Sequence, residues 1–237
     1  MNKIITIAIQ ARSTSTRLPN KINKEIGGVS ILSRIISSAK NAEIYLNRYT
    51  ERNNHYVNVV VLCPTGDQEV LKYKSAVSIF EGDEEDVLKR YYDMAEHYKS
   101  DYVVRITADC PLIPSFVISS IIMKASQGGY DYMSNVDPDC RTSPDGWDCE
   151  CISKQLLGYT HSMAKEKYDR EHVTPHMRKF KKGWKHGIVV SHLDLSHLKF
   201  SVDTKEEYDR VNQEYEKLTD KLTKANYLYG KANVHRL

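Results

Sequence analysis

The sequence predicts an α/β protein built on a doubly wound, mainly parallel sheet, and three observations carry that prediction. The chain has 237 residues, which is enough for one large domain with a well-buried core. Several short runs are β-branched and apolar without polar alternation, which is typical of strands buried on both faces. Helical apolar patterns separate these runs, as crossover helices separate the strands of a parallel sheet.

The first half of the chain alternates strands and helices. The predicted strands are residues 4–9, 57–62, 76–80 and 102–107. The first predicted helix follows Ser30, a suitable N-cap, and the next helices cover residues 67–73, 84–98 and 116–125. In such a sheet, ligands bind at the carboxyl ends of the strands.

The regular alternation stops after residue 129. Residues 130–152 are rich in Asp, Pro, Gly and Cys and have no sustained period. We therefore expect one domain over 1–237, with residues 130–185 forming a small irregular lobe. Short helices at 154–164 and 170–179, strands at 187–191 and 199–202, and a long polar helix from Lys205 are predicted to complete the chain.

Composition excludes several classes of protein. The chain has 34 Lys and Arg against 31 Asp and Glu, a net charge of +3, so nucleic acid is not an expected partner. The five cysteines are irregularly spaced, which favours free thiols in a reducing cytoplasm, although Cys140, Cys149 and Cys151 could alternatively bind a soft metal. The N-terminus has no signal-peptide pattern and no run is long enough to span a membrane, so we expect a cytoplasmic protein without a membrane partner.

The loop from Ala11 to Lys21 is the first candidate site. It leaves the first predicted strand and carries Arg12, Arg17, Lys21 and four hydroxyl residues. Hydroxyls, backbone N–H groups and guanidinium groups are the partners that phosphate oxygens need. The loop is therefore predicted to bind phosphates, although a solvated connector could have a similar composition.

Two aspartates are further candidates. Asp109 follows the strand 102–107, where a carboxylate can reach the ligand crevice and hold Mg²⁺, but an Asp before proline also forms turns. Asp203 follows the predicted strand 199–202. Its sequence context, Asp-Thr-x-x-Glu, is equally suited to the start of a helix.

The order of these blocks resembles the cytidylyltransferase family, which includes the CMP-Kdo synthetases. The blocks are QARSTSTRLPNK, VVRITADCPLI, DGWDCE, REHVTP and VDTKEE. The resemblance is closest to the spore coat polysaccharide biosynthesis protein F group, and it implies a fold like that of the nucleotide-diphospho-sugar transferases. It extends from roughly residue 3 to residue 212, which makes it more specific than any one motif.

The resemblance implies roles for the residues at matching positions. Ala11 and Arg12 would meet the nucleotide, and Ser15, Arg17 and Lys21 would contact its phosphates. Asp109 would be the first Mg²⁺ ligand and Asp203 the second. Two departures are Asn20 and Ala108, where the family usually has glycine.

Other polar residues are predicted to complete the site. Arg105 lies two residues before Thr107 and is expected either to reach a phosphate or to form a buried salt bridge. An acceptor-binding role is predicted for a set of residues whose alternative role is structural: Asn135, Asp148, Glu150, Arg170 and His172.

The resulting hypothesis is a Mg²⁺-dependent cytidylyltransferase. It would transfer CMP from CTP to a small acidic acceptor, either an acidic or a phosphorylated sugar, and release pyrophosphate, with catalysis by Arg12, Lys21 and Asp109. The lobe 130–185 is expected to bind the acceptor or to form a homodimer. The alternatives are a different nucleotide, a phosphonate or amino-acid-like acceptor, a glycosyltransferase that consumes a nucleotide sugar, or a catalytically silent binding subunit.

Overall fold

The computed structural model describes residues 3–49, 55–191 and 193–230, without the side chains of residues 49 and 218–230. The termini of the predicted domain 1–237 therefore lie outside the described residues. The strands are β1 (Lys3–Gln10), β2 (Glu25–Ile26), β3 (Val29–Ser30), β4 (His55–Pro64), β5 (Ser78–Gly82), β6 (Tyr102–Thr107), β7 (Tyr132–Ser134), β8 (Glu150–Ser153) and β9 (His186–Ile188). The α-helices are α1 (Ile31–Tyr49), α2 (Gln68–Leu71), α3 (Val87–His97), α4 (Ser115–Gly128), α5 (Lys154–Met163), α6 (Lys167–His172), α7 (Pro175–Lys179) and α8 (Lys205–Gly230).

Seven of the described strands form one sheet in the order β5-β4-β1-β6-β8-β7-β9. The strands β5, β4, β1 and β6 are parallel, whereas β8 runs antiparallel to both β6 and β7, and β9 is parallel to β7. The chain reverses its direction of winding between β4 and β6, which flank β1. The predicted doubly wound, mainly parallel sheet is confirmed, and a ligand crevice is expected at the ends of β1 and β6.

Alternate residues of each central strand pack against opposite layers of helices. In β1, Ile5, Ile7 and Ile9 belong to the core on the side of α1 and α4. Ala8 belongs to the core on the side of α3 and α5. Because both faces of the sheet are covered, both must be apolar, which explains the uninterrupted apolar runs in the sequence.

Helix boundaries follow local hydrogen bonds. The side chain of Asp86 accepts a hydrogen bond from the N–H of Lys89 at 3.0 Å, so α3 begins at Val87 and not at the predicted residue 84. The Ser30 hydroxyl accepts from the N–H of Ser33 at 3.2 Å, as predicted for the start of α1. Each bond satisfies a donor that the first turn of a helix leaves free.

The second half of the chain departs from the prediction in several places. The helix predicted at 170–179 is interrupted, and its residues belong to α6 (Lys167–His172) and α7 (Pro175–Lys179). The strand predicted at 199–202 is wrong, because this segment forms only an isolated bridge between Asp145 and Lys199. The segment 130–152, expected to be irregular, contains β7 near its start and all of β8 except its last residue at its end. These strands are only three and four residues long and are fully buried, so they show no alternation in the sequence.

Candidate active site

A cavity of about 300 Å³, here called the first cavity, opens at the carboxyl ends of β1 and β6. All of the residues predicted to bind nucleotide or metal line it: Ala11, Arg12, Ser15, Arg17, Lys21, Arg105, Asp109 and Asp203. These residues come from three separate parts of the chain. The fold therefore brings the loop cations and the two carboxylates to one place, as the switch point of the sheet requires.

The loop after β1 is fixed at its start by two hydrogen bonds. The N–H of Ala11 donates to the carbonyl of Leu62 at 2.9 Å, and the N–H of Ser13 donates to Asp67 Oδ2 at 2.8 Å. Asp67 also accepts from the N–H of Val70 and so caps α2. The same carboxylate thus ties the loop to a helix end, which leaves the Arg12 side chain exposed at the cavity.

Asn20 has a left-handed backbone, with φ of 52° and ψ of 36°. This conformation favours glycine, and asparagine is among the residues that tolerate it best. The Asn20 carbonyl accepts from the N–H of Asn23 at 3.1 Å and begins the short 3₁₀ helix Lys21–Asn23. The departure from glycine at this position therefore keeps the turn that presents Lys21.

Asp109 is the second residue after the end of β6. Its carbonyl accepts from the N–H of Val202 at 2.9 Å, and this bond anchors the residue before Asp203. Positions 109 and 203 are held together by the backbone, so their side chains line the same cavity. Ala108, the other departure from glycine, needs no positive φ, because among described non-glycine residues only Asn20, Lys99 and Val173 have one.

Asp203 is the centre of an ion cluster and does not cap α8. Its carboxylate lies 2.8 Å from Lys21 Nζ and 3.0 Å from an Arg17 guanidinium nitrogen. Burial alone would raise the pKa of Asp203, but the hydrogen bond and charge of Lys21, together with Arg17, hold it below its usual value.

The cap of α8 is a capping box formed by the next residue. The Thr204 hydroxyl accepts from the N–H of Glu207 at 3.3 Å, and Glu207 accepts from the N–H groups of Asp203 and Thr204. Of the two interpretations of Asp203, a helix cap is therefore excluded.

The donors in the first cavity are suited to a hard cation held jointly by protein and phosphate. Among the described residues, no three His, Cys, Asp or Glu side chains cluster as a complete metal site. Asp109 and Asp203 supply two carboxylates, and Mg²⁺ typically takes one or two carboxylates together with substrate phosphates and waters. The Arg12 guanidinium has no hydrogen bond or ion pair within the described part of the chain.

A second cavity of about 260 Å³ adjoins the first and shares Arg105, Thr107 and Asp109 with it. Arg105 forms an ion pair with Glu150, with Nη1 2.7 Å from Oε2, across the antiparallel pair of β6 and β8. Burial opposes the charge on both groups, but each stabilises its partner, so the pKa of Arg105 is raised and that of Glu150 is lowered. Arg105 thus forms the predicted salt bridge and also lines both cavities.

The second cavity contains charged residues that the sequence did not single out. Arg141 pairs with Asp148, and Arg178 extends from α7 into the same space. Burial raises the pKa of Asp148 above its usual value, although Arg141 opposes this shift. No motif marks Arg141 or Arg178. The contacts that place them are local but follow no recognised sequence pattern: Arg141 binds Ser143, Pro144 and Asp148, and Arg178 lies on the short helix α7.

A strained turn places the block Arg170–Thr174 between the two cavities. Val173 has φ of 69° and ψ of −55°, and the N–H of Thr174 donates to the carbonyl of His172 at 2.8 Å. This is a γ-turn of the rare, strained type, which a buried β-branched residue adopts only where the surrounding packing enforces it. On one side of the turn, Glu171 and His172 line the first cavity, whereas Arg178 on the other side lines the second.

Two predicted acceptor residues are engaged in structural contacts. Arg170 pairs with Asp86 at 2.7 Å and donates to the carbonyls of His161 and Ala164, and it lines neither cavity. Asn135 is buried, donates to the carbonyl of Trp147 at 2.8 Å and accepts from the N–H of Cys149 at 2.9 Å. These bonds tie β7 to the segment before β8, so the structure brings neither side chain to the carboxylates.

The cysteines take no part in a cluster of ligands. All five are free thiols, and four of them are buried, whereas Cys140 is exposed. No metal-binding group that includes Cys140, Cys149 or Cys151 is found among the described residues.

Among the described helices, none combines the length and apolarity that a transmembrane span requires.

Comparison with known proteins places the chain in a family. The family model described as cytidylyltransferase matches residues 6–232. The chain is 26% identical to the spore coat polysaccharide biosynthesis protein SpsF of Bacillus subtilis (strain 168), over 92% of this chain and 88% of that protein.

Solved structures show the same fold. A cytidylyltransferase from Leptospira borgpetersenii is 28% identical with a TM-score of 0.77, covering 98% of this chain and 99% of the other. A CMP:2-keto-3-deoxy-manno-octonic acid synthetase complexed with CTP has a TM-score of 0.64 at 12% identity, covering 91% and 99%. With the family model covering most of its length and these folds matching its own, the chain belongs to the cytidylyltransferase family and is a CTP-dependent nucleotidyltransferase.

Proposed function

We propose that the protein transfers CMP from CTP to a small acidic acceptor, either an acidic sugar or a phosphorylated sugar, with Mg²⁺ as the cofactor and pyrophosphate as the second product. The observation that carries this proposal is the meeting of Arg12, Arg17 and Lys21 with Asp109 and Asp203 around one cavity. The similarity to SpsF favours a place in surface polysaccharide precursor synthesis. A cytoplasmic homodimer stays a prediction.

The cations of the loop would bind the β- and γ-phosphates. Arg12 has no hydrogen-bond or ion-pair partner among the described residues, whereas Arg17 and Lys21 form ion pairs with Asp203. A triphosphate would compete with Asp203 for Lys21 and Arg17, and charge-assisted bonds to its oxygens would offset the loss of these pairs. As pyrophosphate leaves, the same cations stabilise the charge that develops on it.

The carboxylates would hold the metal at the reacting end of the nucleotide. Asp109 and Asp203 are the ligands that the chain offers, and when bound Mg²⁺ would neutralise phosphate charge and lower the pKa of the acceptor hydroxyl. An oxygen of the acceptor, either a hydroxyl of an acidic sugar or a phosphate oxygen of a phosphorylated sugar, forms the new bond to the α-phosphorus while the bond from this phosphorus to the pyrophosphate oxygen breaks. Where a hydroxyl attacks, its proton passes to solvent water. The chain contributes position and charge and needs no nucleophile of its own.

The direct test is pyrophosphate release with CTP and Mg²⁺, screened against acidic sugars and sugar phosphates. The wild type should release pyrophosphate with at least one class, and the product mass should equal the sum of acceptor and CMP less one water. Asp109→Asn should lower turnover by a factor on the order of 100 to 1,000. Asp139→Asn, at an exposed carboxylate outside both cavities, should match the wild type.

The proposed reaction and the assignment of the metal ligands can be disproved independently. If the wild type is inactive with every acceptor, the proposed reaction is wrong. If Asp109→Asn turns over at the wild-type rate, the metal assignment is wrong, whatever the acceptor proves to be.

A further inference from the structure

The second cavity is placed to hold whatever reacts with a nucleotide in the first cavity. The two cavities share Arg105, Thr107 and Asp109, so a molecule in the second cavity lies beside the carboxylate at the end of β6. The walls of the second cavity are strongly polar. They carry three arginines and three acids: Arg105, Arg141, Arg178, Asp109, Asp148 and Glu150.

These charges are unequally satisfied. Glu150 is buried and paired with Arg105, and it also accepts a hydrogen bond from the Tyr132 hydroxyl. This pair therefore forms a rigid part of the cavity wall. Arg141 is paired with Asp148, whose side chain is 34% exposed and can exchange partners. Arg178 has no side-chain hydrogen bond or ion pair to any described residue, and its charge acts on Glu150 only from a distance, where it helps to lower the pKa of that carboxyl.

We propose that Arg178, assisted by Arg141, binds the anionic group of the acceptor and so selects acidic acceptors. This inference rests on the proposed function and names the residues that would recognise its second substrate. A guanidinium that lines a cavity with no hydrogen bond to its N–H groups is suited to a carboxylate or a phosphate, which it can bind through two parallel hydrogen bonds. With its anion on Arg178 and Arg141, the acceptor would extend toward Asp109.

The backbone supports this role for Arg178. The strained turn at Val173 redirects the chain after His172, and α7 starts at Pro175 with Met177 buried in the core. Arg178 therefore stands on an anchored turn of helix at the cavity wall. The adjacent Lys179 is exposed and lines neither cavity, which makes it a charge-matched control.

The experiment measures anion binding with the first cavity occupied. The full-length protein is saturated with Mg²⁺ and α,β-methylene CTP, which cannot react, and is titrated calorimetrically with inorganic phosphate, glucose 1-phosphate, glucuronate or glucose. At least one anion should bind and glucose should not. Arg178→Gln should weaken that binding at least about tenfold, the size of one charge-assisted hydrogen bond, and Lys179→Gln should leave it within about twofold.

The arms separate the possible outcomes. Binding of glucose 1-phosphate alone assigns a phosphorylated acceptor, and binding of glucuronate alone assigns a carboxylate. Arg178→Lys should bind the anion more tightly than Arg178→Gln and less tightly than the wild type. It keeps the positive charge but lacks the planar guanidinium that can donate two parallel hydrogen bonds. The proposal is overturned if no anion binds, or if Arg178→Gln binds the anion as tightly as the wild type does.

The titrations are repeated without the CTP analogue. If the analogue itself does not bind to the wild type, the proposed function fails. The dependence of anion binding on Arg178 remains measurable in that case, so the two failures can be distinguished.

Discussion

Lys21 Nζ lies 2.8 Å from Asp203 Oδ1, an ion pair between residues 182 positions apart. It joins the phosphate loop after β1 to the segment that leads into α8. Arg17 contacts the same carboxylate but is far more exposed, with 67% of its side-chain surface accessible against 12% for Lys21. In the free protein, Lys21 is therefore the better-fixed cation, and Asp203 is the group that fixes it.

We predict that Lys21→Gln abolishes most of the activity while preserving the fold. The substitution removes one positive charge that would stabilise the negative charge on the leaving pyrophosphate, so turnover should fall by a factor on the order of 100. Pyrophosphate release with CTP measures this, and Lys74→Gln, at an exposed lysine outside both cavities, is the control. Equal turnover in both variants would show that Lys21 does not contact the phosphates.

The capping box at α8 allows the stability and the chemistry of this segment to be separated. Thr204→Ala removes the hydroxyl that caps α8, so it should lower the free energy of unfolding by about 1 kcal/mol and leave turnover nearly unchanged. Asp203→Asn keeps the cap but removes a carboxylate from the cavity, so it should lower turnover at least about tenfold. Urea denaturation and pyrophosphate release are measured on both variants. Thr204→Ala should lose mainly stability and Asp203→Asn mainly turnover. A larger loss of turnover in Thr204→Ala than in Asp203→Asn would contradict the assignment.

Local pattern predicts much of this fold. The strand Tyr102–Thr107 has the predicted bounds, and β1 and β4 extend the predicted strands by a few residues. These strands could be recognised because a buried parallel strand has a continuous run of apolar residues in the sequence. Strands β7 and β8 were missed. They are stabilised by pairing with each other and with β6, and that information is distant in sequence.

The candidate site divides in the same way. The loop cations and Asp109 could be predicted, since each follows a recognisable strand. Arg178 could not, because its position depends on the turn at Val173, whose positive φ no sequence rule assigns to a β-branched residue. Asp203 shows the limit of local motifs, because the Asp-Thr-x-x-Glu pattern does mark a cap but the cap is Thr204.

We predict that Glu150→Gln is strongly destabilising in a pH-dependent manner. At pH 7 the variant leaves the Arg105 charge buried without a carboxylate, which costs about 3–5 kcal/mol. The pKa of Glu150 in the fold lies below the ordinary value of 4.5, because Arg105 and Tyr132 outweigh the effect of burial. Its contribution is therefore complete above that value and is lost as the pH falls through the lowered pKa.

Urea denaturation between pH 7 and pH 3 measures this contribution. The difference in unfolding free energy between wild type and Glu150→Gln should be constant down to about pH 5 and should narrow below about pH 4.3. Glu96→Gln, which removes an exposed pair with Lys154, should cost less than about 1 kcal/mol. A difference that stays unchanged down to pH 3 would contradict the ion pair with Arg105.

Arg170 and His172 are two residues apart, and the structure predicts opposite phenotypes for them. Arg170 pairs with Asp86 and donates to two carbonyls, so Arg170→Gln should lower the free energy of unfolding by about 2–3 kcal/mol. His172 is exposed at the first cavity, so His172→Gln should change stability by less than about 0.5 kcal/mol. It should instead raise the KM for CTP by about threefold to tenfold, the effect of one lost hydrogen bond. If Arg170→Gln retained its stability and instead raised the KM of the acceptor, Arg170 would return to the acceptor site that the sequence predicted for it.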